Sequence, residues 1–426
     1  MNTPDSATPD RFAAILGLDW SDGKHDICLQ VAGSTQREAL VLEHRPEAID
    51  EWARDLRKRF GGQPIAIALE LAKGPIVYAL RKYEFIVLFP VNPATLAKYR
   101  EVFTHSGAKD DPTDAELALE LLLKYPEKLK PLNPQSPQMR TLQQLVEMRR
   151  RLVDDQTRIT NRITSALKNY FPQPLQWFPD KDSALFCDFL QRWPTAKAAH
   201  QARRATLRRF FHEHNVRQAK LLDQRINAIK SALPLTEDEG VVEPGSLLVQ
   251  CLVEQLRATL QAIERFDQKI AACAPAHPDF PIFDSFPAAG PVFAPRLLAA
   301  FGEDRDRLLS PDDLQRYAGV APVTERSGHS TWVHWRWQCP TFLRQTFVEW
   351  TALTIPRSFW AAAYYQQQRS KGKTHQAALR ALAYKWIRIL HHCWTTRQLY
   401  DEAVYLNALK RRGSPLLQEI AATTSP

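Results

Sequence analysis

Residues 139–171, MRTLQQLVEMRRRLVDDQTRITNRITSALKNYF, constrain the fold more than any other stretch. Leu142, Leu145, Arg149, Leu152, Gln156, Ile159, Ile163, Ala166 and Tyr170 recur at spacings of three and four, so the stretch reads as one long helix. Its stripe is a coiled-coil seam interrupted by two polar positions, Arg149 and Gln156. A second stretch, LLVQCLVEQLRATLQAIERFDQKIAAC (247–273), has the same character. It can return along the first helix or pair with a second copy of the chain. The proline-rich KYPEKLKPLNPQSPQ before the first helix marks a linker. With 426 residues, the chain is long enough for two to four units.

The part before the linker has strand character. AAILGLDWSD reads as a buried strand, HDICLQVAG and REALVLEH follow at hairpin spacing, and QPIAIALEL and EFIVLFPVN are two further apolar strands. RPEAIDEWARDLRKRF, GPIVYALRKY and PATLAKYREV carry helical periodicity. The order β-β-β-α-β-α-β-α predicts a mixed sheet with helices packed on it. Asp19 ends the first strand and Glu70 ends the fourth. A carboxylate at the end of a buried strand is costly unless it is paired or holds a metal. In KDDPTDAELALELL, Asp111 and Asp114 lie one helical turn apart and can share a face. Each acid also has a plainer role: Asp114 at a helix N-terminus, Asp19 at a turn, Glu70 paired with Lys73. Together they form a set of hard oxygen donors suited to magnesium or manganese, and two such ions can clamp the oxygens of a phosphoryl transfer.

Net charge is +9 and the sequence pI is about 9.2, which permits a nucleic-acid partner. From Gln366 to Tyr400 there are seven Lys or Arg residues and no Asp or Glu, so this segment calls for a polyanion or an acidic surface against it. Arg149, Arg150, Arg151, Arg158 and Arg162 spread round the long helix, as a solvated face or as nucleic-acid backbone contacts. Six scattered cysteines without CxxC pairs are expected to be reduced core residues, and HHCW (391–394) to lie in a core helix. No run of about 18 apolar residues predicts a membrane span. The start lacks a signal-peptide pattern, so a cytoplasmic protein is expected.

The motifs GLDWSDGKHDICL, ALEL and KDDPTDA resemble the Asp-Glu-Asp-Asp (DEDD) transposases of the insertion sequence 110 family. The family's third motif is Lys-Thr-Asp-x-x-Asp-Ala; Lys109, Asp111, Asp114 and Ala115 match it, and Asp110 stands where threonine is usual. The stretch from FDSFPAAGP to YDEAVY resembles the family's C-terminal transposase domain, with Ala288 replacing the first glycine of Pro-Gly-x-Gly-Pro. SPDDLQRYAGVAP reads as a helix capped by Ser310. The family's nucleophilic serine follows the proline of this stretch by five residues, which selects Ser327 after Pro322, with Ser330 as the next candidate. Ser327 itself sits in what reads as a polar loop. Trp332, Trp335 and Trp337 surround Arg336; at least two are expected to pack the small domain, and any left exposed can stack on bases. Arg380 and Arg388, eight apart, and Lys385 near them are candidate phosphate contacts.

The resemblance implies α/β plus all-α architecture: a tail at 1–11, a ribonuclease-H-like (RuvC-like) catalytic domain at 12–130, a helical and coiled-coil region at 131–275, a C-terminal transposase domain with its serine at 276–405, and a tail at 406–426. It implies a prokaryotic, nucleoid-associated DNA recombinase with magnesium held by Asp19, Glu70, Asp111 and Asp114. Ser327 would attack DNA to give a 5′-phosphoserine link. The implied partners are donor and target DNA, a noncoding bridge RNA, and further copies of the chain, as a dimer and as a tetramer in synapsis. Lys109, Arg149, Arg158, Arg162, Arg336, Arg380, Lys385 and Arg388 are the candidate nucleic-acid contacts. A metal-dependent nuclease or junction resolvase without a serine step, and a non-catalytic nucleic-acid-binding protein, are the rival readings.

Overall fold

The structure, a computed structural model, describes residues 11–103, 111–414 and 416. The chain divides into two compact units, Met1–Pro134 and Gln135–Pro426. The first contains β1 (Ala14–Trp20), β2 (Lys24–Val31), β3 (Arg37–Glu43), α1 (Pro46–Arg59), β4 (Ile65–Leu69), α2 (Pro75–Leu80), β5 (Ile86–Pro90), α3 (Pro93–Phe103) and α4 (Asp111–Lys124). The sheet order is β3-β2-β1-β4-β5. β1, β2 and β3 run antiparallel, while β1, β4 and β5 are parallel. This is the mixed sheet that the order of strands and helices predicted, in the ribonuclease-H-like arrangement that the family resemblance implied.

The central strands are apolar on both faces because both are covered. On one face Leu16, Leu18, Ile67 and Leu69 pack with Ile49 and Leu56 of α1 and with Ile76, Val77 and Leu80 of α2. On the other, Ile15, Ala66, Ala68 and Phe89 pack with Leu96 of α3 and with Ala115, Ala118 and Leu119 of α4. Gly17 faces this second layer. A Cβ built there would lie 1.8 Å from the Ala115 carbonyl oxygen and 2.6 Å from the Leu119 nitrogen, so α4 touches β1 backbone to backbone.

The second unit opens with α5 (Pro137–Tyr170), capped by Ser136 accepting from Met139 N–H. Next come α6 (Pro174–Trp177), α7 (Ala184–Arg192), α8 (Ala196–Gln201), α9 (Arg204–Glu213), α10 (Ala219–Ser231) and α11 (Glu239–Cys273). α11 begins eight residues before the apolar run starting at Leu247 and takes Pro244 into its second turn. α5 and α11 pack antiparallel. Met139, Leu142 and Val146 share a core with Ile270. Ile163, Leu167 and Tyr170 share another with Val249, Val253 and Leu256. Arg149 crosses the seam, its Nη2 donating to Asp267 Oδ2 at 2.9 Å. Within one chain, then, the second long helix does return along the first. Residues 172–240, of which PDKDSALFCDFLQRWP and QARRATLRRFFHEH read as helical in the sequence, form α6–α10 and close the second of these cores with Phe178, Phe186, Phe189, Phe210 and Phe211.

The remainder is α12 (Phe280–Asp284), α13 (Gly290–Phe301), α14 (Pro311–Tyr317), β6 (Val323–Ser327), β7 (Ser330–His334), α15 (Thr341–Thr354), α16 (Phe359–Ser370), α17 (His375–Thr396) and α18 (Glu402–Arg411). α18 therefore runs on past residue 405. Four fully buried tryptophans, Trp350, Trp360, Trp386 and Trp394, fill this core. Each indole N–H finds an acceptor, in order Pro287 O, Tyr400 Oη, Thr354 Oγ1 and Gly302 O, as burial of a polar edge requires. His391 and Cys393 are buried in α17, in keeping with a core role for HHCW. The cysteines do not all match the core expectation: all six are free, but Cys251 is exposed.

Candidate active site and nucleic-acid surface

β1 and β4 pair in parallel up to Leu18 opposite Leu69. Asp19 and Glu70 each come one residue later, at one level of the sheet. Alternation along β1 puts Asp19 on the face of Ile15 and Gly17, which is the face α4 covers, and Glu70 is the residue that follows β4. Asp19 and Glu70 are half-buried. Asp114, in the first turn of α4, is 3 % exposed. It immediately precedes Ala115, whose carbonyl abuts Gly17. β1, β4 and α4 thus bring the sequence neighbourhoods of three acids to one end of the sheet. Asp111 opens α4; its side chain lies outside the described part, as do residues Lys109 and Asp110.

Two features of this region were missed in the sequence. Asp114 Oδ1 accepts from Arg100 of α3, at 2.6 Å from Nε and 2.5 Å from Nη2. Nothing in residues fourteen apart announces that pair. Asp26 of β2 stands directly opposite Asp19 and is 7 % exposed. Directly opposed residues of an antiparallel pair share a face, so Asp26 adds a further carboxylate beside Asp19, with Lys24 Nζ 3.8 Å away. Its signal was available in principle: hairpin spacing around SDG fixes the register. Among the described residues no three His, Cys, Asp or Glu side chains converge at a spacing suited to a metal ion. The donor set itself, all carboxylate oxygen, fits a hard divalent cation.

Ser327 is the last residue of β6 rather than part of an irregular loop. It pairs with Ser330 across a two-residue turn, Gly328-His329, and is exposed. Gly328 has φ of +57°, which such tight hairpin turns favour. The hairpin presents both serine hydroxyls to solvent, with Pro322 just before its first strand. His334 is occupied: Nδ1 meets Trp335 O at 3.0 Å and Nε2 meets Glu325 Oε1 at 2.9 Å. His329 is exposed in the turn.

The candidate cations separate into groups. Arg149 is held against Asp267 between the two long helices, and Arg158, largely exposed, pairs with Asp155. Arg162 and Arg388 are exposed. Arg336 is half-buried, its Nε donating to Ala321 O at 3.4 Å. Lys385 Nζ lies 4.2 Å from the Tyr364 ring centre, and burial, with Arg388 adding to it, lowers its pKa. The Arg380 guanidinium lies 3.9 Å from the centre of the Trp335 ring. The expectation that at least two of the three local tryptophans pack inside fails: Trp332 is 62 % and Trp337 77 % exposed, and only Trp335 is half-buried. Trp332 lies on a two-stranded hairpin with no second layer to bury it, and Trp337 lies just past β7; the rings stack on neighbours instead, Trp332 on His334 and Trp337 on Trp335.

A mixed sheet in this strand order, with acids ending β1 and β4, places the first unit among the ribonuclease-H-like domains. Sequence comparison then narrows the class. Residues 16–172 match the DEDD transposase pattern of the IS110 group, and residues 281–366 match the transposase pattern of the IS116/IS110/IS902 family. The chain is 28% identical over 97% of its length, and 99% of the relative's, to the mini-circle putative transposase for IS117 of Streptomyces coelicolor. It is 28% identical, over 66% of this chain and 70% of the other, to the 43.6 kDa insertion element IS110 protein of the same organism. To the 44.8 kDa insertion element IS116 protein of Streptomyces clavuligerus it is 25% identical, over 91% and 96%. The chain belongs to the IS110 family of DEDD transposases, enzymes that cut and rejoin DNA. Among the described residues no helix is long and apolar enough to cross a membrane.

Proposed function

We propose that this transposase is a site-specific DNA recombinase that moves its own insertion element through a 5′-phosphoserine intermediate. The observation that carries the reading is the placement of Asp19 and Glu70 at one level of the sheet, where β1 and β4 end, with Asp114 in the first turn of α4. Asp19, Glu70, Asp111 and Asp114 would hold magnesium or manganese, which when bound supplies charge stabilisation to a phosphorane and acidity to a coordinated hydroxyl. Arg100 holds the Asp114 carboxylate in orientation meanwhile. The Ser327 Oγ attacks the phosphorus of a DNA phosphodiester. Its proton is lost, the P–O3′ bond breaks, and the 3′ oxygen leaves as a hydroxyl. The step is a transesterification: no water is consumed, and the bond energy is kept in the serine ester for religation. Exposure of Ser327 at a hairpin tip suits a nucleophile that must reach a duplex. Arg158, Arg162, Lys109 and Arg388 supply backbone contacts; Arg149, held against Asp267, is the least available of the set. A noncoding bridge RNA of the element would select donor and target DNA by pairing, and a tetramer built from dimers would hold the two DNAs in synapsis.

The test is a cleavage assay with end-labelled DNA carrying the element's ends, magnesium and its cognate RNA. A protein–DNA adduct that survives denaturation and vanishes in Ser327→Ala supports the recombinase. Cleavage that persists in Ser327→Ala, with no adduct in either protein, replaces it with a hydrolytic nuclease. Asp114→Asn should abolish metal-dependent cleavage. If it lowers only stability, Asp114 is a helix-end and ion-pair residue and nothing more.

A further inference from the structure

Between the β6–β7 hairpin and α17 lies a cleft of about 680 Å³. Arg316, Arg336, Lys373 and Arg380 line it against one carboxylate, Asp312. Trp335 and Arg380 form part of its wall, and a second guanidinium, from a residue outside the lining, gathers on the same indole. Arg380 lies 3.9 Å from the Trp335 ring centre, and Arg344, in the first turn of α15, lies 5.2 Å from it. Among the described residues neither arginine pairs with a carboxylate. Trp335 Nε1, Arg344 Nη1 and Arg380 Nη1 are all buried and lack an acceptor. Three buried donors without an acceptor, two of them cationic, are costly as they stand. The α15 N-terminus adds positive potential, because its cap, Pro340, has no side-chain acceptor. Burial, with the Arg344 charge adding to it, lowers the Arg380 pKa, as expected of a cation short of counter-charge. A group of this composition suits an anionic ligand.

The surroundings narrow the kind of anion. Trp337 stacks 6.1 Å from Trp335 and is largely exposed, and Trp332 offers a second exposed indole on the hairpin. Flat aromatic faces beside a cluster of arginines are what unstacked bases and their phosphates require. We propose that this cleft and the surface beside it bind a nucleic-acid strand with unpaired bases, a phosphodiester on the Arg344–Arg380 cluster and bases on the exposed indoles Trp337 and Trp332 next to the cleft. The proposal rests on the recombinase reading for its biological setting, since strand exchange exposes such a strand beside the hairpin that ends in Ser327. The binding itself needs neither metal nor chemistry.

The experiment uses the full chain without divalent metal. Wild type, Arg344→Gln, Arg380→Gln, Arg380→Lys and Trp337→Ala are titrated against a fluorescent strand of about 20 nucleotides as single-stranded DNA, as RNA and as duplex DNA, between about 50 and 200 mM salt. Each Gln variant should lose about tenfold in affinity for the single strands and lower the salt slope by about 1. Trp337→Ala should weaken single-strand binding several-fold, leaving the salt slope unchanged. A loss confined to DNA or to RNA identifies which strand the cleft serves. Losses equal on duplex and single strands would overturn the unpaired-base proposal in favour of a plain duplex contact. Wild-type affinity and slope in both Gln variants would overturn the site altogether. Should a Gln variant fail to fold, Arg380→Lys decides: weakened affinity with the slope kept supports the stacked guanidinium, and unchanged affinity refutes it. Because no cleavage is read, failure of the serine mechanism and failure of this site are separable.

Discussion

Gly17→Ala tests the link between packing and the candidate site. The added Cβ would sit 1.8 Å from the Ala115 carbonyl oxygen, where ordinary contact begins near 3.4 Å. The helix must therefore retreat from β1 by about 1.6 Å, and the obstacle is backbone that no rotamer change can remove. Overpacking of this kind costs about 1–3 kcal/mol, and a backbone obstacle belongs at the upper end. α4 carries Asp114 in its first turn, so the acid moves with the helix. A displacement of about 1 Å in a catalytic group costs on the order of a hundredfold in rate. Hydrogen exchange read on peptides from β1 and α4 should rise about 30- to 150-fold, the equivalent of about 2–3 kcal/mol of local opening. Peptides from the second unit should be unaffected. Metal-dependent DNA cleavage should fall about a hundredfold. Wild-type exchange in β1 and α4 would show that the helix does not rest on Gly17, and the reasoning would fail at its first step.

Two further predictions concern His25 and Ala288. His25 is fully buried, with Nε2 2.9 Å from His44 Nδ1; burial, and then the His44 charge, lower its pKa to about 4 from an ordinary 6.5. The native state therefore favours the neutral ring, and its stability is complete above about pH 6.5 and lost as pH falls towards 4, by on the order of 3 kcal/mol. His25→Leu should flatten that dependence, read as exchange in β1 and β2 corrected for the intrinsic effect of pH; an unchanged dependence would assign it to other groups. Ala288 has φ of +60°, a left-handed conformation that costs a Cβ-bearing residue about 1–2 kcal/mol. Ala288→Gly should stabilise the second unit by about 0.5–1 kcal/mol and raise its melting temperature by roughly one to three degrees; a lower melting temperature would contradict it.

The last case shows what sequence does and does not carry. The glycine usual at position 288 is there to take a left-handed turn, and the alanine keeps the turn at a cost; the motif alone could not distinguish that from a phosphate-binding role. The five strands were legible because their apolar runs are short and bounded by turn residues, and the strand ends then placed Asp19 and Glu70. The seam of α5 was legible from spacing, and Ser310 as a cap from the acids and Pro311 after it, which the structure completes as a capping box with Asp313. Contacts between elements left no local trace. Arg100 reaches Asp114 because α3 and α4 pack, and Arg344 and Arg380 meet on Trp335 from three separate elements. The tryptophans misled because hydrophobic type argues for burial, whereas a two-stranded hairpin and the residues just past it leave them only one another and their neighbours to lie against. Of the short helices α6–α10, only α7 and α9 fall in stretches that read as helical; pieces of 4–13 residues give little periodicity to read.

The antiparallel pair of α5 and α11 has a mechanical consequence. Buried seam residues on α5 stop at Val146 and resume at Ile163, so at 1.5 Å per residue the two cores it serves are held about 25 Å apart. Axially, two helices bonded along their length transmit a push or pull between the phenylalanine-rich core and the tryptophan-rich one without slack. Laterally, the half-buried polar stretch around Gln156 is the compliant place. The pair is thus a pushrod with a soft middle, and its full length of about 51 Å matches roughly fifteen base-pair steps of duplex DNA.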